Sequence, residues 1–270
     1  RGPVLAGAGS PAIHIQSFKS HIDGSTHRFS PEAAIHYQEH LGADIVMPLD
    51  ICVHSDSEKP AVELAVDRTG RWAARCREAH TRTDQLLFGI VQGGLFPDLR
   101  QRSAEFMMAL DFPGYAIGGL SVGESKDEMY EATGFTAQLL PIGSPRYLMG
   151  VGSPEDLVEC VARGIDMFDC VIPTRSGRTG LAYTWEGKLN LRNSKYKKDD
   201  TSINKNINLR HLNLYSKSYI NHLINSNEIL ASMILTLNNI IFYQELMSKI
   251  REAIKNNTFD DFYSKYINVI

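Results

Sequence analysis

The chain lacks any CxxC pair. Its four cysteines, Cys52, Cys76, Cys160 and Cys170, are scattered along the sequence, which argues against a disulfide framework or a cysteine zinc site and for a reducing cytoplasm. Positive charge is not in excess either. The formal net charge is −3, so a nucleic-acid partner would need a local basic patch rather than a global field. No apolar run reads as long enough to cross a bilayer, and the N-terminus has no signal-peptide layout. No carboxylate precedes Asp23. No asparagine precedes Asn190, and lysine becomes common only from Lys188, whereas the preceding part is rich in Ala, Gly and Arg. The shift marks a change of domain or a join between sequences of different origin, and it divides the chain into 1–193 and 194–270.

What is present reads as alternating elements. Phe18-Lys19-Ser20-His21-Ile22-Asp23-Gly24-Ser25 alternates and then turns on Asp-Gly, a hairpin signal. Ser30-Pro31 is an N-cap followed by proline at the first helical position, and Gly42 stops that helix. Apolar strand-like runs then occupy 45–49, 86–91, 115–118, 147–150 and 167–171, after a strand stub at 2–5. Amphipathic helices are predicted over 61–78, 97–109, 126–139 and 154–163. Strands apolar throughout and separated by helices indicate a parallel sheet covered on both faces. A hairpin at 181–191 follows, then helices over 217–225 and 228–255. In the last of these, Ile234, Ile241, Leu246 and Ile250 form a buried stripe.

Nearly every strand run ends in a chemically useful group: Asp50, Gln92, Gly118-Gly119, Met149-Gly150 and Asp169. A (β/α)₈ barrel places its site at the C-terminal ends of its strands, whereas an open doubly wound sheet uses only its switch point. The distribution favours a barrel, with five clear strands and one stub. Blander roles remain open for each residue taken alone. Asp169 could cap a helix or pair with Arg175, Asp50 could cap a turn, and Met149 could be core. Arg175 and Arg178 could be solvated.

The stretch Phe168-Asp169-Cys170-Val171-Ile172-Pro173-Thr174-Arg175-Ser176-Gly177-Arg178 resembles the signature of tRNA-guanine transglycosylases. Ser20-His21-Ile22-Asp23-Gly24-Ser25, Gly89-Ile90-Val91-Gln92-Gly93-Gly94, Gly118-Gly119-Leu120-Ser121-Val122-Gly123-Glu124 and Tyr147-Leu148-Met149-Gly150-Val151-Gly152 agree with it in the same order. Several long motifs in one order are far more specific than a lone glycine pattern. The resemblance implies a (β/α)₈ TIM barrel, incomplete at the N-terminus, with a C-terminal helical subdomain. It implies exchange of guanine at the tRNA wobble position for a 7-deazaguanine, with the anticodon loop as partner, no membrane, and a homodimer as the common assembly.

By matched position, the resemblance makes Asp169 the covalent nucleophile. Asp50 would accept hydrogen bonds from the guanine N1 and amino group. Gln92 and the Gly119 backbone would read its O6 side, Leu120 would offer a carbonyl to an aminomethyl group, and Met149 would cover one face. Gly150, Val151, Gly152, Ser153, Pro154, Glu155 and Asp156, with Thr174, Arg175, Ser176, Gly177 and Arg178, would contact the anticodon nucleotides.

Two departures stand beside the match. Where the family carries a Thr-Asp-Ser-Gly-Gly motif with its acid/base aspartate, this chain has Ala6-Gly7-Ala8-Gly9-Ser10-Pro11. Where the family binds structural zinc through three cysteines and a histidine, alignment puts Ile207, Leu209, Leu212 and Asn238. No zinc and no other cofactor is therefore expected, and the C-terminal subdomain is expected to be mobile or differently packed.

Overall fold

The computed structural model describes residues 16–204 and 214–267. The expected strand stub at 2–5 and the positions Ile207, Leu209 and Leu212 lie outside them. The chain divides into two compact units, one running to Tyr147 and the other from Leu148 onward. Composition breaks later, near Lys188, because contacts and residue usage partition the chain on different grounds.

The first unit opens with an antiparallel hairpin, β1 (Gln16–Lys19) and β2 (Thr26–Phe29), in the register Ser17 to Arg28 and Lys19 to Thr26. Helix α1 (Pro31–Leu41) begins and ends where its caps require. The Ser30 Oγ accepts from the Ala33 N–H at 3.1 Å, and Gly42 takes the left-handed conformation at φ 71°. Parallel strands and helices then alternate: β3 (Ile45–Val46), α2 (Lys59–Ala79), β4 (Leu86–Leu87), β5 (Gly89–Val91), α3 (Pro97–Ala109), β6 (Tyr115–Ile117), α4 (Lys126–Leu139) and β7 (Arg146–Leu148). Strand β7 carries the chain from one unit into the other.

The predicted strand over 86–91 is two ladder segments with different neighbours. The Leu86 N–H donates to Asp44 O at 2.9 Å and Phe88 N–H to Val46 O at 3.1 Å, on the β3 side. From Gly89 the chain pairs with β6, Gly89 N–H donating to Gly114 O at 3.0 Å. One apolar run therefore serves two neighbours, which is why periodicity reads it as a single strand. The helices α1, α2, α3 and α4 pack in succession, burying Trp72, Ala73 and Cys76 of α2 and Leu99, Ala104 and Met107 of α3. On its other side β3 has no strand among the described residues. There the Gln38 side chain of α1 engages Met47, its Oε1 accepting from the Met47 N–H at 2.9 Å and its Nε2 donating to the Met47 carbonyl at 2.8 Å. The fold is thus α/β with parallel strands and alternating helices, although among the described residues the strands do not close a barrel.

The second unit contains α5 (Pro154–Ala162), β8 (Met167–Phe168), α6 (Ile172–Arg178), the hairpin β9 (Leu181–Thr184) and β10 (Gly187–Asn190), α7 (Lys217–Asn225), α8 (Ile229–Lys255) and α9 (Phe259–Tyr266). The segment after Asp169 is helical: Pro173-Thr174-Arg175 lies in α6, because proline's fixed φ suits a first helical turn.

The described part of the C-terminal segment packs into two cores. One core joins Ala182, Leu191, Tyr196, Ile220, Leu223, Ile234 and Leu235. Another joins Leu157, Val158, Tyr183, Trp185, Phe242, Leu246 and Ile250, with Phe259, Phe262 and Tyr266 of α9 against it. Helix α8 corrects the hydropathy reading. At 27 residues it is long and apolar enough to cross a membrane by length and composition, yet its face through Ile234, Leu235, Phe242, Leu246 and Ile250 is buried in these cores.

Candidate active site

In the first unit the strand ends gather the residues matched to base recognition. Asp50 follows β3 and is held by the neighbouring Ile51, whose N–H donates to Thr69 Oγ1 of α2 at 3.0 Å. Gln92 follows β5, and its N–H donates to Ser103 Oγ of α3 at 3.0 Å. The two side chains meet: Gln92 Nε2 donates to Asp50 Oδ2 at 2.7 Å. Burial pushes the Asp50 carboxyl above its ordinary range, against the opposing hydrogen bond from Gln92. Gln92 is 1 % exposed, and its buried Oε1 has no hydrogen-bond partner among the described residues.

The turn after β6 lies against this amide. A Cβ on Gly118 would stand 2.6 Å from Gln92 Nε2, and one on Gly119 would overlap Gln92 Oε1. Gly119 also has φ 66°, so both its space and its backbone conformation require glycine. Leu120 is buried beyond it. The loop is closed by Glu124, which accepts from the Ser121 N–H and, at 3.0 Å, from the Val122 N–H.

Sequence reasoning passed over Arg100. This α3 residue is 1 % exposed. Its Nε donates to Gly94 O at 2.8 Å, its Nη1 to Gly118 O at 2.8 Å and Val91 O at 3.3 Å, and its Nη2 to Gly119 O at 3.3 Å. Burial lowers its pKa to about 10, so it stays charged at neutral pH. The signal was available in the helical period, which puts Arg100 on the inward face with Ser103, Ala104 and Met107.

In the second unit Asp169 stands exposed beyond β8, and its Oδ1 accepts the Gly150 N–H at 2.8 Å. It does not cap α6, whose N-cap is Val171. The 149–152 loop is held from behind by residues outside the expected set. Tyr243 of α8 donates its hydroxyl to Gly152 O at 2.7 Å, and Cys170 Sγ lies 3.4 Å from the same carbonyl. A Cβ on Gly152 would collide with that sulfur.

The residues matched to RNA contact divide by exposure. Gly150, Arg175 and Arg178 are exposed, and Met149, Ser153, Glu155, Thr174 and Ser176 are partly so. Val151, Gly152, Pro154 and Asp156 are buried, and Gly177 is buried where α6 crosses Thr236 of α8. Ser153 caps α5, accepting from the Asp156 N–H at 3.3 Å, and Glu155 pairs with Lys188 at 3.0 Å.

The zinc that the resemblance implies does not fit the residues present. Ile207, Leu209 and Leu212 carry no ligand atom. Asn238 is fully buried, and its Nδ2 donates to Tyr183 O at 3.1 Å and to Asn239 Oδ1 at 3.1 Å, while its own Oδ1 has no partner among the described residues. Zinc's structural sites take thiolate and imidazole, and an amide supplies neither. Among the described residues no three His, Cys, Asp or Glu side chains gather as a metal site.

Comparison with known proteins gives the pattern its context. The family model described as queuine tRNA-ribosyltransferase matches residues 12–269. The chain is 52% identical over 254 residues to the queuine tRNA-ribosyltransferase of Pelotomaculum thermopropionicum, covering 93% of this chain and 69% of that protein. It is 50% identical over 255 residues to that of Halothermothrix orenii, covering 93% and 68%. With the Agrobacterium fabrum protein of the same name it shares 48% over 254 residues, covering 94% and 68%. The named activity of these relatives is a glycosyl transfer, and the similarity continues through the C-terminal helices despite the altered zinc positions. The chain belongs to the queuine tRNA-ribosyltransferase family of tRNA-guanine transglycosylases.

Proposed function

We propose that this protein exchanges guanine at the tRNA wobble position for a 7-deazaguanine through a covalent aspartyl-ribose intermediate. The observation that carries the reading is an exposed carboxylate at a strand end, Asp169, fixed by the Gly150 N–H, in a chain about half identical to the named transferases. The anticodon loop lets the target base leave its stack at little cost. Asp169 attacks C1′ of the ribose as the bond from C1′ to guanine N9 breaks, and the electron pair leaves with the base. N9 of the incoming base then attacks C1′, loses its N9–H proton and expels the carboxylate, so the exchange takes up one proton at the departing base and releases one from the incoming base. Two inversions at one carbon give net retention, as in retaining glycosidases. The departing base needs a proton. The family's acid/base aspartate has no counterpart in the sequence before Asp23, and such help is worth ~10²–10⁴-fold in rate. The missing carboxylate also favours a second reading, a tRNA-binding module on the same scaffold. Incubation with tRNA and labelled guanine separates the two: incorporation supports exchange, and tight tRNA binding without incorporation supports the module.

Asp50 reads the guanine N1–H and amino group in its ionised form. Its raised pKa means that the carboxylate is lost while pH is still above the ordinary aspartate range. Guanine affinity, measured by calorimetry, is expected to weaken on acidification with a midpoint above that of free aspartate. Asp50→Asn should remove this dependence, and a flat profile in the unaltered protein would sink the assignment.

The C-terminal helices hold together without structural zinc. Metal analysis of purified protein is expected to give well under one zinc per chain, and a chelator should leave the melting temperature unchanged. One zinc per chain would refute this.

A further inference from the structure

We infer that Arg100 is a positioning residue that aims the Gly119 N–H at the O6 edge of the base. The inference rests on the base-reading role proposed for Asp50, Gln92 and Gly119. A buried guanidinium is costly unless its donors are used and its charge is matched. Among the described residues Arg100 has no ion pair. Its partners are four carbonyls, Val91 and Gly94 around Gln92 and Gly118 and Gly119 in the next turn. One side chain thus ties the two base-reading segments together.

The consequence follows from the planarity of the peptide unit. In a trans peptide the C=O of one residue and the N–H of the next point in opposite directions. With Gly118 O turned onto Arg100 at 2.8 Å, the Gly119 N–H must point away from the guanidinium. With Gly119 O held at 3.3 Å, the Leu120 N–H is aimed in the same way. The left-handed φ of Gly119 lets both carbonyls face one donor group. Gln92 is fixed in parallel, because its amide has no room to turn between Asp50 and the two glycines. Arg100 therefore sets the direction of a donor that it does not itself present to the ligand.

The test compares guanine with 6-thioguanine, which keeps the N1–H and amino donors facing Asp50 but replaces O6 by a weak acceptor. The protein is expected to prefer guanine, and Arg100→Lys to lower that preference about tenfold while 6-thioguanine affinity changes little, since a neutral hydrogen bond is worth roughly this ratio. Equal weakening of both bases, or unchanged preference, would overturn the inference, because a merely structural arginine loosens the whole site alike. Arg100→Met should lose the preference as fully. If neither variant folds, the Gly119 amide proton of the unaltered protein is followed by NMR. A shift on adding guanine but not 6-thioguanine supports the inference, and no shift overturns it. If the unaltered protein binds no guanine while Asp50 stays ionised, the base-reading proposal itself fails, a result distinct from retained preference in Arg100→Lys.

Discussion

Replacing Asp169 by asparagine is expected to abolish covalent capture of tRNA while leaving the fold intact. The substitution preserves the shape of the side chain and an oxygen to accept the Gly150 N–H, but an amide is too poor a nucleophile to open a glycosidic bond. The position is exposed, and substitutions of this kind change stability by about half a kcal/mol or less. The decisive measurement is a denaturing gel of protein incubated with tRNA. A slow-migrating adduct should form with the unaltered chain and disappear in Asp169→Asn and Asp169→Ala, with melting curves superimposed. Because the proton for the departing base has no assigned donor, the adduct should form slowly, so time courses are needed. Capture that persists in Asp169→Asn would move the chemistry to another residue.

The largest effect on stability is expected at Asn239. Its Oδ1 accepts the Tyr183 N–H at 2.9 Å, and its Nδ2 donates to Pro173 O at 3.0 Å and Leu181 O at 2.9 Å. One fully buried amide on α8 thereby serves backbone groups of α6 and β9. Asn239→Leu would strand three polar groups, each costing ~1–3 kcal/mol when left unpaired. Even with partial relaxation the loss should reach roughly 3 kcal/mol, read as a lower urea midpoint with unchanged slope. The neighbouring Asn238→Leu should cost much less, because Asn238 Oδ1 already has no partner among the described residues and only the bond to Tyr183 O is lost to the backbone. Equal effects at the two positions would refute this division. The contrast bears on the altered zinc positions: α8 is anchored by hydrogen bonds at the asparagine that follows the family's histidine position.

The periodic part of the fold was legible before any coordinates. Helix α1 begins on Ser30 and ends at Gly42, and α3 and α4 span the predicted residues, because caps and amphipathic spacing are local signals. The split of the run over 86–91 was not legible, since both halves are equally apolar and only their neighbours differ. Helix α9 was missed because, at eight residues, it is short, and the surface its aromatic side chains pack on, with Tyr266 against Trp185, comes from a segment far away in sequence. Asp50 meets Gln92, and Asp169 meets Gly150, just beyond the ends of the apolar runs. The supports were harder to read. Arg100, Tyr243 and Cys170 act on backbone carbonyls far away in sequence, and nothing in local spacing announces which carbonyl a buried donor will find.

The side-chain amide of Gln38 has a consequence for how this protein behaves in a crowded solution. Polar groups alternate along a strand, so the Met47 N–H and carbonyl face away from β4, on the side where the described residues supply no other strand. Gln38 occupies both groups with a single residue, offering the donor and acceptor that an intruding strand would bring. The sheet thus carries a molecular plug at a margin that would otherwise template intermolecular pairing and aggregation.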